Sequence, residues 1–402
     1  MGQGRSLGRR FGWLWGAYAV STLGTWLAFD AFPLIAVLVL HAGPGEVSAL
    51  AAAGLVVGAV VAVPLGPWME FRRKRPVMVA MDVVRFAALM TVPVAFVLGE
   101  LSLAQLLVVS VVVAAADITF TAASGACLKA LVPPGDLIVA NGRFEATMWT
   151  ASVVGPPLGG FAVGVFGPVV TVAANAVSFL LSAVGIRAMG GGEPRPAAKG
   201  EASSRLRAAD LLDGWRYILT DPVLRPLFCN AVLVNGLIMA ASPPLAVLML
   251  GPLGFPPWQY ALAFAVPCLG GLVGSRLAPR LVARFGQRRI LLTVGTLRPC
   301  WPVGLAFVHP GVTGLLLVWV VEFGLITCMG VYNPVLATRR LERTPADRVA
   351  RTLSAWSVSV KLTIAALTAL WGLLAALTSP RTAIALAGLL ILATPLLLSR
   401  RD

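Results

Sequence analysis

Seven ionisable side chains stand inside long apolar runs: Asp30, Asp82, Arg85, Asp117, Arg298, Glu322 and Lys361. A charge at the centre of a bilayer costs about 2.5–3.5 kcal/mol on insertion scales, so each needs a counter-charge, a watery cavity or a proton. Burial disfavours the charged form of a carboxyl, and an acid whose surroundings alternate between wet and dry can load and release a proton. Covalent chemistry has no such footing. The two histidines, His41 and His309, lie near span ends, and no GxSxG, HExxH, phosphate-binding loop or metal-spaced cysteine pair is present. Neither enzyme activity nor a metal or cofactor is expected. Without a nucleotide motif, work across a membrane has to draw on an ion gradient or on the solute's own gradient.

Asp30 is the most informative of the seven. Tyr18, Thr22, Trp26 and Asp30 recur at four-residue spacing and draw one hydroxyl, aromatic and acid stripe along a helix of Leu, Val and Ala. Such a face suits a wet cavity for aromatic or cationic solutes; alternatively, a buried hydroxyl or amide satisfies the acid. Asp117 shares a face with Ser110, Thr121 and Ser124, and Trp319 shares one with Glu322. Glu322 can pair with Lys361 or Arg298. Asp30 and Glu322 lead as proton sites, with Asp117 third. Asn230 and Asn235 either line a cavity or bond between helices. Asp82 and Arg85, three residues apart beside a basic loop, suit a structural pair.

The elements that position these groups follow from composition. The 402 residues are 58% hydrophobic and 12% charged, against about 25% charged in soluble domains. Apolar blocks of about 20 residues cross a bilayer, and twelve fit, at 14–40, 47–67, 77–98, 103–125, 146–166, 169–188, 226–250, 259–279, 289–308, 313–336, 352–377 and 382–399. Backbone in hydrocarbon must satisfy its own hydrogen bonds, so these are helices. The expected fold is an all-α polytopic membrane protein. Alternate loops carry 28 Lys and Arg on one side and Arg381 alone on the other, which places both termini and the central loop in the cytoplasm. Arg5, Arg9 and Arg10 read as a retained cytoplasmic flank. The +15 net charge is then an orientation signal rather than a nucleic-acid surface. The Arg-, Ala- and Gly-rich composition fits the inner membrane of a high-GC bacterium. Five cysteines, odd in number and lying in or beside apolar blocks, read as small apolar fillers.

Residues 189–210 are the one linker of low hydropathy and divide the spans six and six, giving 1–188, a cytoplasmic segment 189–225, and 226–402. Leu211 to Leu227 reads as an amphipathic interfacial helix with Leu212, Trp215 and Ile218 on one face. The halves echo each other: Glu70 to Arg75 matches Ala283 to Arg289 at an offset of 213, and Pro134-Gly135-Asp136 matches Pro345-Ala346-Asp347 at 211. A duplicated six-span unit points to a transporter built from repeats.

Three motifs then carry a family resemblance. Gly66-Pro67-Trp68-Met69-Glu70-Phe71-Arg72-Arg73-Lys74-Arg75 resembles the two-to-three loop signature of the major facilitator superfamily, with Glu70 at the usual Asp position and Arg73 at the usual Gly. Arg284, Gly286, Arg288 and Arg289 keep the second copy. Ala151 to Gly160 resembles the antiporter signature of drug exporters, with Gly155, Pro156, Gly159 and Gly160 in place and Ala151 at the first glycine. Val132 to Asn141 and Gly214 to Ile218 are similar to segments of the macrolide and siderophore exporters. Glycine there permits close helix approach, here expected against Gly270, Gly271 and Gly274.

The resemblance implies twelve transmembrane helices in two pseudo-symmetric six-helix bundles, a central cavity and alternating access, with a small molecule and protons as partners and a monomer as the usual state. It also implies a gating latch of Glu70, Arg72, Lys74, Asp82 and Arg143. Tyr18, Thr22, Trp26, Asn230, Asn235, Trp319, Lys361 and Arg298 are the cavity candidates. Proton-coupled export of an amphipathic molecule is the expected role. The alternatives are a nutrient importer or uniporter of the same fold, a membrane sensor, or a lipid-handling protein.

Overall fold

The computed structural model describes residues 7–28, 31–42, 50, 54, 56–70, 72–190 and 208–398. Among them every regular element is helical, and eleven helices are long and apolar enough to cross a membrane. Numbered by the spans expected from sequence, they are span one (Arg9–Leu38), three (Lys74–Leu98), four (Leu103–Leu131), five (Pro134–Phe166), six (Pro168–Ala188), seven (Leu224–Leu250), eight (Trp258–Phe285), nine (Gln287–Phe307), ten (Val312–Arg343), eleven (Val349–Leu377) and twelve (Pro380–Leu397). Span two lies partly outside the described residues; 56–62 and Leu65–Glu70 are helical. Large side chains such as Val97, Phe166 and Leu396 point outward at 83%, 62% and 88% exposure, an apolar surface that only lipid suits.

Several helices outrun their apolar windows toward the basic loops, because hydropathy marks the end of hydrocarbon and not the end of backbone pairing. The largest correction is at 126–145, expected as a loop. A single turn at Pro134–Asp136 leads directly into helix from Leu137, so Arg143 and Glu145 are helical residues. Caps set other ends: Ser102 accepts from the Gln105 amide at 3.2 Å and Ser379 from Thr382 at 3.1 Å. At the loop between spans eight and nine, Gly286 takes φ +80° and ψ 153°, a region open essentially to glycine alone. Its counterpart in the first copy, Arg73, makes the same junction with φ −61° and ψ 130°, which explains how that copy dispenses with glycine.

Two spans are broken. Span eight is interrupted between Ala265 and Cys268 at Pro267, which has no N–H to continue the ladder. Span nine is α-helical to Leu297 and then tightens to 3-10 turns over Arg298–Cys300 and Pro302–Phe307. Its far end is held by Arg381, whose guanidinium donates to the carbonyls of Ala306 at 2.8 Å and Val308 at 2.7 Å.

The chain forms two compact units, one of residues 1–140, 154–217 and 344–358, the other of 141–153, 218–343 and 359–402. Spans five and eleven therefore each contribute to both. Ile35, Leu89, Leu106, Val172 and Phe179 fill the core of the first. Leu245, Met249, Val318 and Ile384 fill one core of the second, and Trp371 another, its indole donating to the Ala383 carbonyl at 2.9 Å.

Within the first unit, the helix expected over Leu211 to Leu227 is corrected to Ala208–Thr220. Asp221 ends it, its carboxylate accepting from the Val223 and Leu224 amides at 2.8 Å each to start span seven. Gly214 and Ile218 are buried while Leu212 is 62% exposed, so the inward face is rotated from the one expected. Asp213 bonds Arg351 at 3.2 Å, and a Cβ on Gly214 would stand 2.6 Å from the Arg351 carbonyl oxygen. Gly214→Ala gains up to about 1 kcal/mol of helix propensity, but overpacking against backbone costs about 1–3 kcal/mol. A net loss of about 1–2 kcal/mol is expected in detergent-solubilised unfolding, and a variant as stable as the parent would show that the backbone yields.

Candidate functional site

Span three places Asp82 and Arg85 one turn apart on its inner face, both buried, at 0% and 3% exposure. Arg85 Nη2 donates to Asp82 Oδ1. Its Nη1 reaches Asp117 Oδ1 of span four at 3.4 Å. The guanidinium lies over Phe120 at 4.4 Å and Phe179 at 4.2 Å, where ring faces attract a cation. The expected pair is thus a triad, and Asp117 belongs to it. One cation serves two carboxylates. Asp82 is sealed, while the Asp117 side chain is 44% exposed.

The second unit repeats this arrangement with altered chemistry. Arg298 lies 213 residues after Arg85, and Tyr332 lies 212 after Phe120. Arg298 is 0% exposed, stacked on Tyr332 at 4.2 Å. No acid joins it. Its Nη2 donates to Asn230 Oδ1 at 2.7 Å, and Asn230 donates onward to the Thr394 carbonyl at 3.0 Å. At the offset of Asp82 stands Gly295, where a Cβ would already be 3.2 Å from the Tyr332 ring. Asn230 therefore bonds between helices, and both it and Arg298, expected as cavity candidates, sit in closed packing. The offset read from the loops, applied to Arg85, points directly to Arg298; that signal lay unused in the sequence.

Glu322 of span ten is 9% exposed. Among the described residues it has no hydrogen-bond or ion-pair partner, and neither Lys361 nor Arg298 fills the role expected of them. Arg298 is committed to Asn230, and Lys361 is half-buried.

A further acid went unread. Glu145 of span five accepts through Oε1 from Asn333 Nδ2 at 2.9 Å and from Trp149 Nε1 at 3.0 Å. Its two donors are neutral. The Trp149 ring occupies the space that a Cβ on Gly271 would take, and Gly142 lies against the Ser275 carbonyl. Span eight thus receives residues 142–149, whereas Gly155 and Gly159 pack on Trp26 and Leu27 of span one. This corrects the expected partner of the glycine run. Gly270 and Gly274 instead face Phe323, Thr327 and Val331 of span ten. Gly160 and Pro156 are exposed.

Tyr18, Thr22 and Trp26 are half-buried along one face of span one; Asp30 lies outside the described residues. Asn235 bonds within its own helix, to the Ala231 carbonyl at 2.7 Å. Trp319 donates to the Leu262 carbonyl at 3.1 Å, beside the break in span eight. In the loop motif, Lys74 donates to the carbonyls of Met69 at 2.8 Å and Arg72 at 3.0 Å, and Arg72 covers Trp68 at 4.5 Å. Gly66 abuts Ser354, where a Cβ would be 3.1 Å from the hydroxyl. The Glu70 side chain lies outside the described residues. Arg143 is half-buried, and Arg284 and Arg288 are exposed. No three His, Cys, Asp or Glu residues among those described stand together to hold a metal.

Helices repeated at a near-constant offset, with an arginine set on an aromatic face in each copy, define a polytopic membrane protein of duplicated halves. Residues 14–360 match the model of the Major Facilitator Superfamily, and the chain belongs to that family of transporters. It is 26% identical over 331 residues to the multidrug efflux pump Tap of Mycolicibacterium fortuitum, covering 78% of each chain. Against the Mycobacterium tuberculosis (strain ATCC 25618 / H37Rv) pump of the same name it is 26% identical over 341 residues, covering 80% of this chain and 78% of the pump. Its fold is similar to a bacterial homologue of the iron transporter ferroportin in an outward-facing state, with TM-score 0.80, 17% identity, and coverage of 97% of this chain and 98% of that one. The human organic anion transporter MFSD10 aligns with TM-score 0.77, 13% identity, and coverage of 97% and 99%. These structural likenesses show the fold.

Proposed function

We propose that the protein exports an amphipathic small molecule, such as a drug, antibiotic or other secondary metabolite, from a bacterial cell by proton antiport and alternating access. The observation that carries this reading is Glu322, a carboxyl at 9% exposure within an apolar helix with no cation beside it among the described residues. A carboxylate so placed is tolerated if it spends part of the cycle protonated. Asp117, Asp30 and Glu145 are the other acids that the reading assigns to proton movement, and the likeness to the Tap efflux pumps supports outward transport of drug-like solutes. The loop residues Glu70, Arg72, Lys74, Arg143, Arg284 and Arg288 act in gating, with both termini in the cytoplasm.

Everted membrane vesicles test this directly. With an acid-inside gradient, the wild type is expected to accumulate a fluorescent amphipathic cation, and Glu322→Gln to express normally while that rate falls about a hundredfold or more, the scale on which general acid–base groups contribute. Undiminished accumulation by the variant removes Glu322 from the coupling path. Gradient-driven movement in the opposite direction by the wild type would make the protein an importer.

A further inference from the structure

At the end of the second unit that carries the basic loops, the starts of spans seven and nine and the end of span ten enclose a cleft of about 240 Å³. Its walls divide sharply by chemistry. Leu227, Leu291 and Leu398, at 7%, 5% and 5% exposure, form an apolar floor, and Arg288, Arg339 and Arg343 line it from two helices. Leu396 and Leu397, next to the floor residue Leu398, are 88% and 39% exposed and continue the apolar surface outward.

We infer that this cleft binds the headgroup of an anionic phospholipid, with the acyl chains running along the outer apolar face. Three points select that occupant. The volume is below the roughly 300–1,000 Å³ of sites that enclose a whole drug-sized ligand, so part of a molecule is held and the rest lies outside. Guanidinium forks match phosphate oxygens bidentately. The position is where helix ends meet the headgroup layer, and basic pockets between spans there suit anionic lipids. The exposed leucines leave tails somewhere to go, which inorganic phosphate does not need.

The inference is independent of the transported solute and is tested by binding. Full-length protein in mild detergent is heated with mixed micelles containing phosphatidylglycerol, with phosphatidylethanolamine at equal mole fraction, or with inorganic phosphate. Phosphatidylglycerol is expected to raise the unfolding temperature and the other two to leave it near that of detergent alone. Arg339→Gln with Arg343→Gln is expected to weaken phosphatidylglycerol retention about thirtyfold, each basic residue near an anionic surface contributing comparably, while the paired Lys substitutions keep most of it. Equal stabilisation by phosphatidylethanolamine would overturn the headgroup claim, and an equal shift with inorganic phosphate would overturn the lipid claim. Retention unchanged in the double Gln variant would place the lipid elsewhere. If that variant does not fold, the three-way comparison on the wild type still decides.

Discussion

Asp82→Asn is expected to destabilise the protein by about 3 kcal/mol, read as a lower unfolding temperature and a smaller monodisperse fraction in detergent. The substitution changes almost no volume, so the effect is electrostatic. Arg85 is 3% exposed, and removing one partner of a buried ion pair costs about 3–5 kcal/mol because the other charge is stranded. The lower end of that range applies because Asp117, at 3.4 Å and partly exposed, remains to share the cation. The aromatic faces at 4.4 and 4.2 Å soften the loss further. The converse is equally specific. Asp82→Leu with Arg85→Met removes both sealed charges together and leaves only Asp117, 44% exposed, without its cation; apolar replacement of a buried pair is often neutral or stabilising by about 1–4 kcal/mol. Met suits a slot between two rings. The double variant is expected to fold while the single one suffers. Equal damage in both would mean that the pair stabilises by shape rather than by charge.

The same triad shows what a sequence can carry. Asp82 and Arg85 were legible as a pair because helix geometry fixes residues three apart on one face. Asp117 was legible as an acid in a span but not as a partner, since periodicity places a side chain on a face and says nothing of which helix lies opposite. Arg298 illustrates the limit further. Its bond to Asn230 joins residues 68 positions apart, and the ring beneath it comes from span ten; only the 213-residue offset connects it to Arg85. The spans were readable because a bilayer imposes length and apolarity together. Their ends were not, because helices continue into the headgroup layer where polar residues return. The glycine run shows both sides of this. Small residues announce that two backbones meet closely, and Gly155 and Gly159 do meet one, but on span one rather than span eight.

Glu145 was lost to that uncertainty of ends, counted as loop when it is helix, and it carries the last expectation. Oε1 accepts two bonds, from Asn333 at 2.9 Å and Trp149 at 3.0 Å. Glu145→Gln offers the same oxygen to the same donors, so it is expected to match the wild type in thermal unfolding. Glu145→Leu leaves both N–H groups without an acceptor, at about 1–3 kcal/mol each, and a loss of about 2–6 kcal/mol is expected. Because Gln keeps the geometry and cannot titrate, it separates fold from proton movement. Gradient-driven transport by Glu145→Gln is expected to fall about a hundredfold with stability unchanged. Both donors are uncharged and serve the acid in either protonation state, so a proton can come and go there without stranding a buried cation, which the Asp82 and Arg85 pair cannot allow. Full transport by the Gln variant would reduce Glu145 to an acceptor for two side-chain donors and leave the coupling to Glu322 and the acids of spans one and four.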